Sequence, residues 1–590
     1  MTSIDGRYEV RVGLASCSIA AGASRVFRAL DEAGAAPHTT GCVGMCYAEP
    51  LIEVIGPDGQ HVWYGHVEES DVQRIVTNHL IQGEVVADLQ VERPDGQVRF
   101  ALRNCGIVDP EDIASYIELG GYAGLQRALS MPPEAVIADI QDAGLRGRGG
   151  AGFPTHKKWD LAREAVGDQK YVVCNADEGD PGAFMDRSIL ESDPHSVIEG
   201  MMIAGYAIGA SIGYVYVRAE YPLAIKRLRR AITQTQESEY LGRLAAESGF
   251  HFAVSIREGA GAFVCGEETA LLMSIEGKRG MPRFRPPYPA EKGLFDCPTV
   301  INNVETLANV PRIMNDGPES FSAFGTERSR GTKVFSLAGK VQRGGLVEIP
   351  MGTTVNDMVF AIGGGISSGK AFKAVQTGGP SGGCIPAHLG DTPVDYESLA
   401  AIGAIMGSGG LLVMDADTCM VDVARYFLSF ARDESCGKCT FCRVGTEQML
   451  RILTRITEGR GEMRDLEILE DLGAKIQGGS LCGLGQTVPN PVLTTLRFFR
   501  DEYEAHIQGR HCPAKQCKAL IEYQILDDAC RGCTLCEKAC PVEAISGERG
   551  ETYTIDQDRC IRCGLCLSSC RFDAIALYSE PKTNSLEVAK

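Results

Sequence analysis

The first hundred residues alternate short apolar runs with polar segments, as small α/β domains do. The stretch "YEVRVGLASC" (8–17) predicts a strand that ends at a cysteine, and Val26 and Leu30 then share one face of a predicted helix. The segment "TGCVGMCYAEPLIEVI" (40–55) predicts a loop followed by a strand. We therefore expect one small α/β domain over residues 1–100.

The pattern changes beyond about residue 105. Predicted helices now alternate with apolar runs such as "KYVVCNA" (170–176) and "GYVYVRA" (213–219), which is typical of a buried sheet covered by helices. Residues 332–364 predict strands, a "GG" turn and one helix, which indicates a compact α+β insert. Mostly helical patterns follow up to Ile507, and a Cys-rich tail begins at Cys512.

Composition and charge narrow the classes of function. With 590 residues the chain is too long for one hydrophobic core, so several domains are expected. The net charge of −19 argues against a nucleic-acid partner, because phosphate binding needs a basic surface. The first ten residues lack the pattern of a signal peptide, and the longest apolar stretches, Val197–Val217 and Leu399–Met414, contain glycines. These features predict a cytoplasmic protein without a membrane span.

Cysteines carry the strongest chemical signal. There are 23, and 14 of them lie between Cys436 and Cys570. Disulfides are an unexpected use for them in a cytosolic chain. Thiols clustered at short fixed spacings indicate iron–sulfur or zinc sites instead.

The tail contains two runs with the spacing C-x2-C-x2-C-x3-C. In two-cluster ferredoxins the fourth cysteine of each run ligates the other cluster. The spacing therefore predicts two [4Fe–4S] clusters, one on Cys530, Cys533, Cys536 and Cys570 and one on Cys560, Cys563, Cys566 and Cys540. A pair of zinc knuckles is the alternative. Arg571 stands where a proline usually follows the last cysteine, and a cation there would raise the potential of that cluster.

A further set precedes the tail. "ESCGKCTFCRVG" places Cys436, Cys439 and Cys442 ahead of a predicted helix, and "GGSLCGLGQ" supplies Cys482 across a helical hairpin. The spacing alone also allows zinc. The neighbouring ferredoxin pattern favours a third [4Fe–4S] cluster.

Three polar, glycine-rich stretches lie in the α/β region. "GLRGRGGAGFPTHKKW" (144–159) lets the backbone approach a phosphate or a flat ring, although a tight turn would use the same residues. It lacks the G-x-G-x-x-G dinucleotide pattern after a strand. Residues 173–187 and 259–307 concentrate Asn, Asp, Glu and Gly in the way that loops around a polar ligand do.

These three stretches closely resemble the NADH- and FMN-binding flavoprotein subunit of respiratory complex I, over about residues 105–507. The two end domains narrow the resemblance. A thioredoxin-like [2Fe–2S]-type domain followed, at the other end, by a two-cluster ferredoxin is similar to the flavoprotein (beta) subunit of electron-bifurcating [FeFe]-hydrogenases. Related transhydrogenases, formate dehydrogenases and benzoyl-CoA reductase complexes share this layout.

The resemblance implies a multidomain α/β fold with these parts: a thioredoxin-like [2Fe–2S]-type domain (1–100), a Rossmann-like FMN/NAD(H)-binding domain (105–332), a β-grasp, ubiquitin-like insert of the soluble-ligand-binding type (333–416), a helical bundle with a [4Fe–4S] cluster (417–507), a linker with candidate zinc ligands (508–525) and a two-cluster ferredoxin-like domain (526–578).

The resemblance also implies the cofactor-binding residues. For FMN it implies Gly147, Arg148, Gly149, Gly150 and Lys158 at the phosphate and ring, and Asn175, Asp177, Glu178, Gly266, Glu267, Asn302 and Asn303 at the ribityl chain and isoalloxazine edge. For the nicotinamide nucleotide it implies stacking on Phe153 and contacts from Glu268, Asp180, Arg285 and Tyr288. The family often has Glu, Lys and Phe at the last three positions, which leaves NADH over NADPH open.

Two cysteine sites depart from the family pattern or extend it. The thioredoxin-like pattern needs four cysteines, whereas this chain offers Cys17, Cys42 and Cys46, with Ser16 or Ser18 as a poor fourth ligand of a [2Fe–2S] cluster. A vestigial fold without a cluster is the alternative. Beyond the bundle, His506, Cys512 and Cys517 suit tetrahedral zinc, with a distant fourth cysteine such as Cys105. The alternative there is a hinge with two spare thiols. Cys419 is expected to be a buried small residue.

The implied function is that of an NADH dehydrogenase-type subunit, in which a hydride passes between NAD(H) and FMN without a side-chain acid, base or nucleophile. Electrons move through the Cys436 cluster and the tail to or from ferredoxin or a partner redox subunit, in a flavin-based electron-bifurcating complex. Expected partners are a thioredoxin-like [2Fe–2S] small subunit and a catalytic subunit such as a hydrogenase or formate dehydrogenase. Two alternatives stay open: a non-bifurcating diaphorase subunit, and an electron-transfer scaffold without flavin.

Overall fold

The computed structural model describes residues 8–580, which divide after Val413 into two compact units. The expectation about a signal peptide concerns the first ten residues, and residues 1–7 lie outside the described range. No helix within residues 8–580 combines the length and the apolar character needed to cross a bilayer.

The N-terminal unit begins with a five-stranded sheet of order β2-β1-β3-β4-β5, in which β1 and β2 are parallel and the other neighbours antiparallel. The predicted helix with Val26 and Leu30 on its inner face packs these side chains into the core below the sheet. The elements are β1 (Glu9–Gly13), α1 (Ser16–Ala21), α2 (Ala23–Glu32), β2 (His38–Thr40), β3 (Ile52–Ile55), β4 (His61–Tyr64), α3 (Val72–Ile75) and β5 (Gln90–Val91).

A four-stranded parallel sheet of order β8-β7-β6-β9 follows, covered by helices. The two apolar runs at 170–176 and 213–219 form its central strands, so the predicted α/β architecture is confirmed. The elements are α4 (Ile113–Glu118), α5 (Ala123–Leu129), α6 (Pro133–Ala143), α7 (Thr155–Glu164), β6 (Tyr171–Ala176), α8 (Met185–Ser192), α9 (Pro194–Ile208), β7 (Ile212–Arg218), α10 (Pro222–Glu237), α11 (Glu239–Ser248), β8 (Ala253–Gly259), α12 (Glu268–Ile275), α13 (Pro289–Lys292), β9 (Thr299–Asn303), α14 (Val304–Asp316) and α15 (Glu319–Ser322).

The insert forms a mixed sheet of order β11-β10-β14-β12-β13, in which β10 and β14 are parallel. Both outer pairs are antiparallel hairpins. Its core is separate from that of the parallel sheet. The elements are β10 (Thr332–Gly339), β11 (Gly345–Pro350), β12 (Phe372–Thr377), β13 (Gly383–Pro386), α16 (Tyr396–Ala401) and β14 (Gly410–Asp415).

The C-terminal unit starts with six helices around one core. Val421, Ala424 and Leu428 recur at helical spacing on α17 and are buried there, which explains why this amphipathic segment is helical. Two small antiparallel pairs, β15 with β18 and β16 with β17, frame the Cys-rich tail. The elements are α17 (Met420–Asp433), α18 (Thr446–Thr457), α19 (Arg464–Gly479), α20 (Gly483–Thr487), α21 (Asn490–Phe498), α22 (Arg500–Ile507), β15 (Glu522–Ile525), α23 (Leu535–Ala539), β16 (Ile545–Ser546), β17 (Thr554–Ile555), α24 (Leu565–Ser569) and β18 (Ile575–Tyr578).

Candidate functional site

The Gly-rich loop joins α6 to α7 and closes on itself. The backbone N–H of Gly147 donates to the carbonyl of Phe153 at 2.9 Å, and Arg146 is bridged to Pro154. Gly150 has φ +127°, and a Cβ there would lie 3.1 Å from the backbone of Gly407 in the insert. A side chain at this position would therefore be strained and would push the insert away from the loop.

Arg148 corrects one expectation. Its side chain is fully buried, and the guanidinium donates to the carbonyls of Arg146, Arg330 and Thr332 at 2.7–3.0 Å. Its backbone N–H donates to Thr306 Oγ1 at 2.8 Å. The guanidinium therefore does not line a ligand surface; it fixes the loop against the start of β10, and only the backbone of this segment remains for a cofactor.

The polar stretches meet at the carboxyl ends of β6 and β9, where ligands bind in open parallel sheets. Asn175 and Asn303 are direct neighbours in the strand register. The Asn175 Nδ2 group donates to the carbonyl of Gly266 at 2.9 Å, and Trp159 Nε1 donates to Asn302 Oδ1 at 3.0 Å. Each of the three motifs thus contributes to one edge of the sheet.

Two of the predicted acidic residues use their carboxylates to hold backbone. Glu178 accepts from the N–H groups of Asp186 and Arg187 at 3.1 and 3.2 Å, at the start of α8, and burial raises its pKa. Glu267 accepts from the N–H groups of Thr269 and Ala270 and so caps α12. Both side chains shape the loops around the site.

A charged cluster brings together residues that the resemblance assigns to different ligands. The Lys158 ammonium pairs with one carboxylate oxygen of Glu268 and donates to the carbonyl of Ile301 at 3.2 Å. Arg285 lies 3.7 Å from the other Glu268 oxygen. Two cations thus share one carboxylate, and each side chain is a quarter to a third exposed. This cluster can neutralise phosphate groups.

The insert contributes residues that no motif singled out. Ser408 donates its hydroxyl to Asp180 at 2.5 Å, and burial raises the pKa of Asp180 to about 6. The Tyr396 hydroxyl donates to the carbonyl of Gly147 at 2.8 Å, while the Arg146 guanidinium lies 4.2 Å from the Tyr396 ring centre. The signal for these contacts is absent from local sequence, because it depends on packing between two sheets.

Three further predicted residues lie at the edge of the site. Phe153 and Tyr288 expose 44% and 51% of their surfaces, so both rings are open to stacking. Asp177 lies 3.7 Å from Arg218. The backbone of the Gly-rich loop, the asparagines at the strand ends, two cations and exposed aromatic rings form a donor set that fits a flat, phosphorylated cofactor such as FMN with NAD(H).

A compact four-residue group lies in the C-terminal unit. Ligand atoms of Cys419, His506, Cys512 and Cys517 all lie within 4.8 Å of one another, and all four residues are buried. His506 Nε2 is 3.4 Å from Cys419 Sγ and 3.3 Å from Cys517 Sγ. His506 Nδ1 donates to the carbonyl of Glu502 at 2.7 Å, which leaves Nε2 free to bind a metal. This donor set suits a closed tetrahedral zinc site.

The fourth member of this group is Cys419, and not Cys105. Cys105 is buried in the core of the parallel-sheet region. Cys419 directly precedes α17, and α17 packs against α22, which carries His506. The only signal in the sequence is a cysteine at a helix start, and such a position is equally typical of a buried small residue.

The helical cluster site is assembled from two segments. The backbone N–H of Leu481, next to Cys482, lies 3.4 Å from Cys439 Sγ. A Cβ on Gly485 would come within 3.2 Å of the Cys442 Cβ, so the segment that carries Cys482 lies against the Cys436 run. The four predicted ligands are thus brought to one place.

In the tail, one cavity is lined by Cys530, Cys533, Cys536 and Cys570, so the last cysteine of the second run meets the first three of the first run. The two runs have matching backbones. Thr534 and Gly564, which precede the two short helices, both have left-handed φ angles, of +70° and +80°. Arg571 is exposed.

The N-terminal cysteines also converge. Sγ atoms of Cys17, Cys42 and Cys46 lie within 4.8 Å of one another, and Cys17 Sγ is 3.8 Å from Cys42 Sγ. Ser18 Oγ is 3.8 Å from Cys17 Sγ, whereas Ser16 turns its hydroxyl to Glu191 at 2.5 Å. Of the two serines proposed as fourth ligand, only Ser18 lies beside the thiols.

Comparison with known proteins adds three family matches. Residues 140–312 match the Nuo51 FMN-binding domain, residues 422–506 the NADH-ubiquinone oxidoreductase-F iron-sulfur binding region, and residues 529–574 a 4Fe-4S dicluster domain.

The chain is also similar to whole proteins. It is 56% identical to the NADP-reducing hydrogenase subunit HndC of Solidesulfovibrio fructosivorans, over 78% of this chain and 93% of that protein. It is 47% identical to an NADH-quinone oxidoreductase component of Rhizobium meliloti, the one designated F 2, over 70% and 98%. Among solved structures, an H2-reduced NAD+-reducing [NiFe]-hydrogenase matches with a TM-score of 0.61 and 31% identity, over 86% and 85% of the chains.

Proposed function

Since the chain belongs to the family of NADH-binding FMN subunits of NADH-quinone oxidoreductases and related hydrogenases, we propose that it passes electrons between NAD(H) and ferredoxin or a partner redox subunit. It is a flavoprotein oxidoreductase of the NADH dehydrogenase type. We further propose that it works in a cytoplasmic flavin-based electron-bifurcating complex.

The observation that carries this proposal is the charged cluster at the edge of the parallel sheet. Lys158 and Arg285 offer two cations around one carboxylate, Glu268, beside the asparagines at the ends of β6 and β9. A phosphate that displaces this carboxylate would gain charge-assisted hydrogen bonds from both cations. Bound FMN would accept a hydride from NADH and release the electrons singly.

The chain's own residues bind and orient. Lys158 and the backbone of Gly147 to Gly150 hold phosphate, and Asn175 and Asn303 fix the edge of the ring system. Phe153 and Tyr288 offer rings against the nicotinamide nucleotide. Ser408 and Tyr396, from the insert, close the loop side and limit the access of water. No side chain needs to transfer a proton.

The clusters and zinc complete the proposal. Three [4Fe–4S] clusters occupy the Cys436 set and the two tail sets and connect the flavin to ferredoxin. Zinc on Cys419, His506, Cys512 and Cys517 anchors the linker that leads to the tail. We also infer a β-grasp fold for the insert, since the strand order β11-β10-β14-β12-β13 supports it, and a helical bundle for α17–α22. A [2Fe–2S] cluster on the N-terminal cysteines remains a prediction.

Partners follow from the same proposal. A thioredoxin-like [2Fe–2S] small subunit and a catalytic subunit complete the complex, and the similarity to hydrogenase subunits supports a hydrogenase as that catalytic subunit.

The variant Lys158→Ala tests the nucleotide site. We expect NADH-dependent reduction of an artificial dye to fall roughly 10- to 100-fold, with weaker flavin retention, because one charge-assisted phosphate contact is lost. Lys157→Ala, an exposed neighbour on the same helix, is the matched control and should keep the activity. Iron content should be equal in both variants. Full activity and full flavin loading in Lys158→Ala would refute the site.

Bifurcation is tested on the purified complex. We expect NADH to reduce ferredoxin only when a second, coupled acceptor reaction runs at the same time. Reduction of ferredoxin by NADH alone would sink this part of the proposal and leave a plain diaphorase subunit. Parallel assays with NADPH establish the nucleotide preference.

A further inference from the structure

The three N-terminal thiols are packed more tightly than a two-iron cluster requires. All three Sγ atoms lie within 4.8 Å of one another, and the Cys17–Cys42 pair is at 3.8 Å. Cys17 lies on α1, and the other two lie in the loop after β2. Cys42 is buried, and its partners are half-buried.

These spacings match ligands of one ion. A tetrahedral ion with metal–sulfur bonds of about 2.3 Å holds two thiolates about 3.8 Å apart. In a [2Fe–2S] cluster each iron takes two cysteines, so three cysteines must span both irons, and sulfurs on different irons are roughly 5 Å or more apart. The trio therefore does not fit the cluster that its fold implies.

The remainder of the described chain provides an internal comparison. Within residues 8–580, one other group of His, Cys or acidic residues is equally tight, and it is the zinc-type set of Cys419, His506, Cys512 and Cys517. None of the predicted cubane ligand sets forms so tight a group within this range. The spacing thus separates single-ion sites from cluster sites in the same molecule, and the N-terminal trio falls with the former.

We propose that Cys17, Cys42 and Cys46 bind a single zinc ion, with an oxygen at the fourth position. Three thiolates in a buried pocket favour zinc. Ser18 Oγ stands on the oxygen side, 3.8 Å from Cys17 Sγ, and donates to Glu49 at 2.7 Å. Glu49 in turn accepts from the backbone N–H of Leu51 at 3.1 Å, so Ser18 is held in place.

The location gives this ion a structural task. The backbone N–H of Cys42 donates to Ser192 Oγ at 2.9 Å, and that of Ser16 donates to Glu191 at 2.8 Å. Both acceptors end α8, and the first turn of α8 holds Glu178 and, through Asp186, Asn303. An ion on the trio stiffens the surface that packs on α8. Because zinc has no redox chemistry, this domain does not relay electrons.

Metal analysis of the anaerobically purified full-length protein tests the assignment. We expect the double variant Cys17→Ala/Cys46→Ala to lose about one zinc per chain relative to the wild type. Its iron should stay at about 12 atoms per chain, the amount in three cubanes. Cys297→Ser, a partly exposed cysteine away from the trio, is the control and should lose nothing. Loss of about two irons, with a [2Fe–2S] electron paramagnetic resonance signal, would overturn the proposal, and so would no change in either metal.

The wild-type protein gives a second measurement that needs no variant. Anomalous diffraction at the zinc edge should show one peak between the three sulfurs, and a peak at the iron edge alone, or no peak, would contradict the assignment. Neither readout uses flavin or NADH oxidation. Failure of the nucleotide site and failure of this metal site are therefore separable.

Discussion

The ferredoxin-like tail and the nucleotide site are built in opposite ways. In the tail, eight ligands lie between Cys530 and Cys570, and each is identified by its distance from the next. In the nucleotide site the key pairs are far apart in sequence: Lys158 meets Glu268 across 110 residues, and Asp180 meets Ser408 across 228. One site is encoded locally, and the other exists only after several chain segments have packed together.

The difference also concerns what each side chain does. Every cysteine of the tail runs has one predicted use, because thiolates at that spacing have few other roles. Charged residues near the nucleotide site have several: Arg148 and Glu267 satisfy backbone groups, whereas Lys158 faces the ligand side. Spacing identifies ligands well, and residue type alone does not separate a binding residue from a supporting one.

The largest expected effect breaks the local site. Cys570→Ala should remove one cubane, about four irons per chain, and lower NADH-driven ferredoxin reduction by more than about tenfold while reduction of an artificial dye persists. If Cys530 and Cys570 serve one cluster, the double variant Cys530→Ala/Cys570→Ala loses no more iron than either single variant.

Pairing Cys570→Ala with Cys560→Ala supplies the contrast. This combination should lose about eight irons, since the two residues belong to different clusters. Equal iron loss in both double variants would contradict the crossed ligand sets, and iron analysis with electron paramagnetic resonance reads out each case.

The next effect concerns the group that is intermediate between the two kinds of site. Cys512 and Cys517 are near neighbours in the chain, but Cys419 lies 87 residues before His506. Cys419→Ala should lose about one zinc per chain and lower the melting temperature of the C-terminal unit by roughly 5–15 °C, because metal binding contributes to folding there.

Cys105→Ala is the matched control for that variant, since Cys105 is a buried cysteine that the sequence offers for the same place. It should keep the zinc. A zinc content that falls in Cys105→Ala and holds in Cys419→Ala would reverse the assignment.

The sequence predicted the parallel sheet, the insert and the positions of the cluster cysteines, because apolar periodicity and short spacings are local properties. It also led, through resemblance, to the residues that now lie at the ends of β6 and β9. It missed Cys419, Ser408 and Tyr396, whose partners lie on other elements. It could not show that the Arg148 guanidinium is buried, since a loop arginine carries no local sign of the carbonyls that surround it.

The smallest expected effect probes the long-range pair Asp180–Ser408. Burial raises the pKa of Asp180 to about 6 from an ordinary value of 3.8. Between these values the folded state binds more protons than the unfolded state, so this group favours folding below about pH 4 and its contribution is lost as the pH rises through 6. Asp180→Asn removes this cost and keeps an oxygen that can accept the Ser408 hydroxyl.

At pH 7.5 we expect Asp180→Asn to stabilise the N-terminal unit by about 2–3 kcal/mol, a rise of a few degrees in melting temperature, with little difference at pH 4. Ser408→Ala should act in the opposite direction at pH 7.5, because it removes the hydroxyl that favours the charged carboxylate. Thermal melts at the two pH values read out both variants. An equal shift at both pH values would mean that packing, and not the buried charge, sets the energy of this contact, and the pair would then behave like the rest of the interface between the Gly-rich loop and the insert.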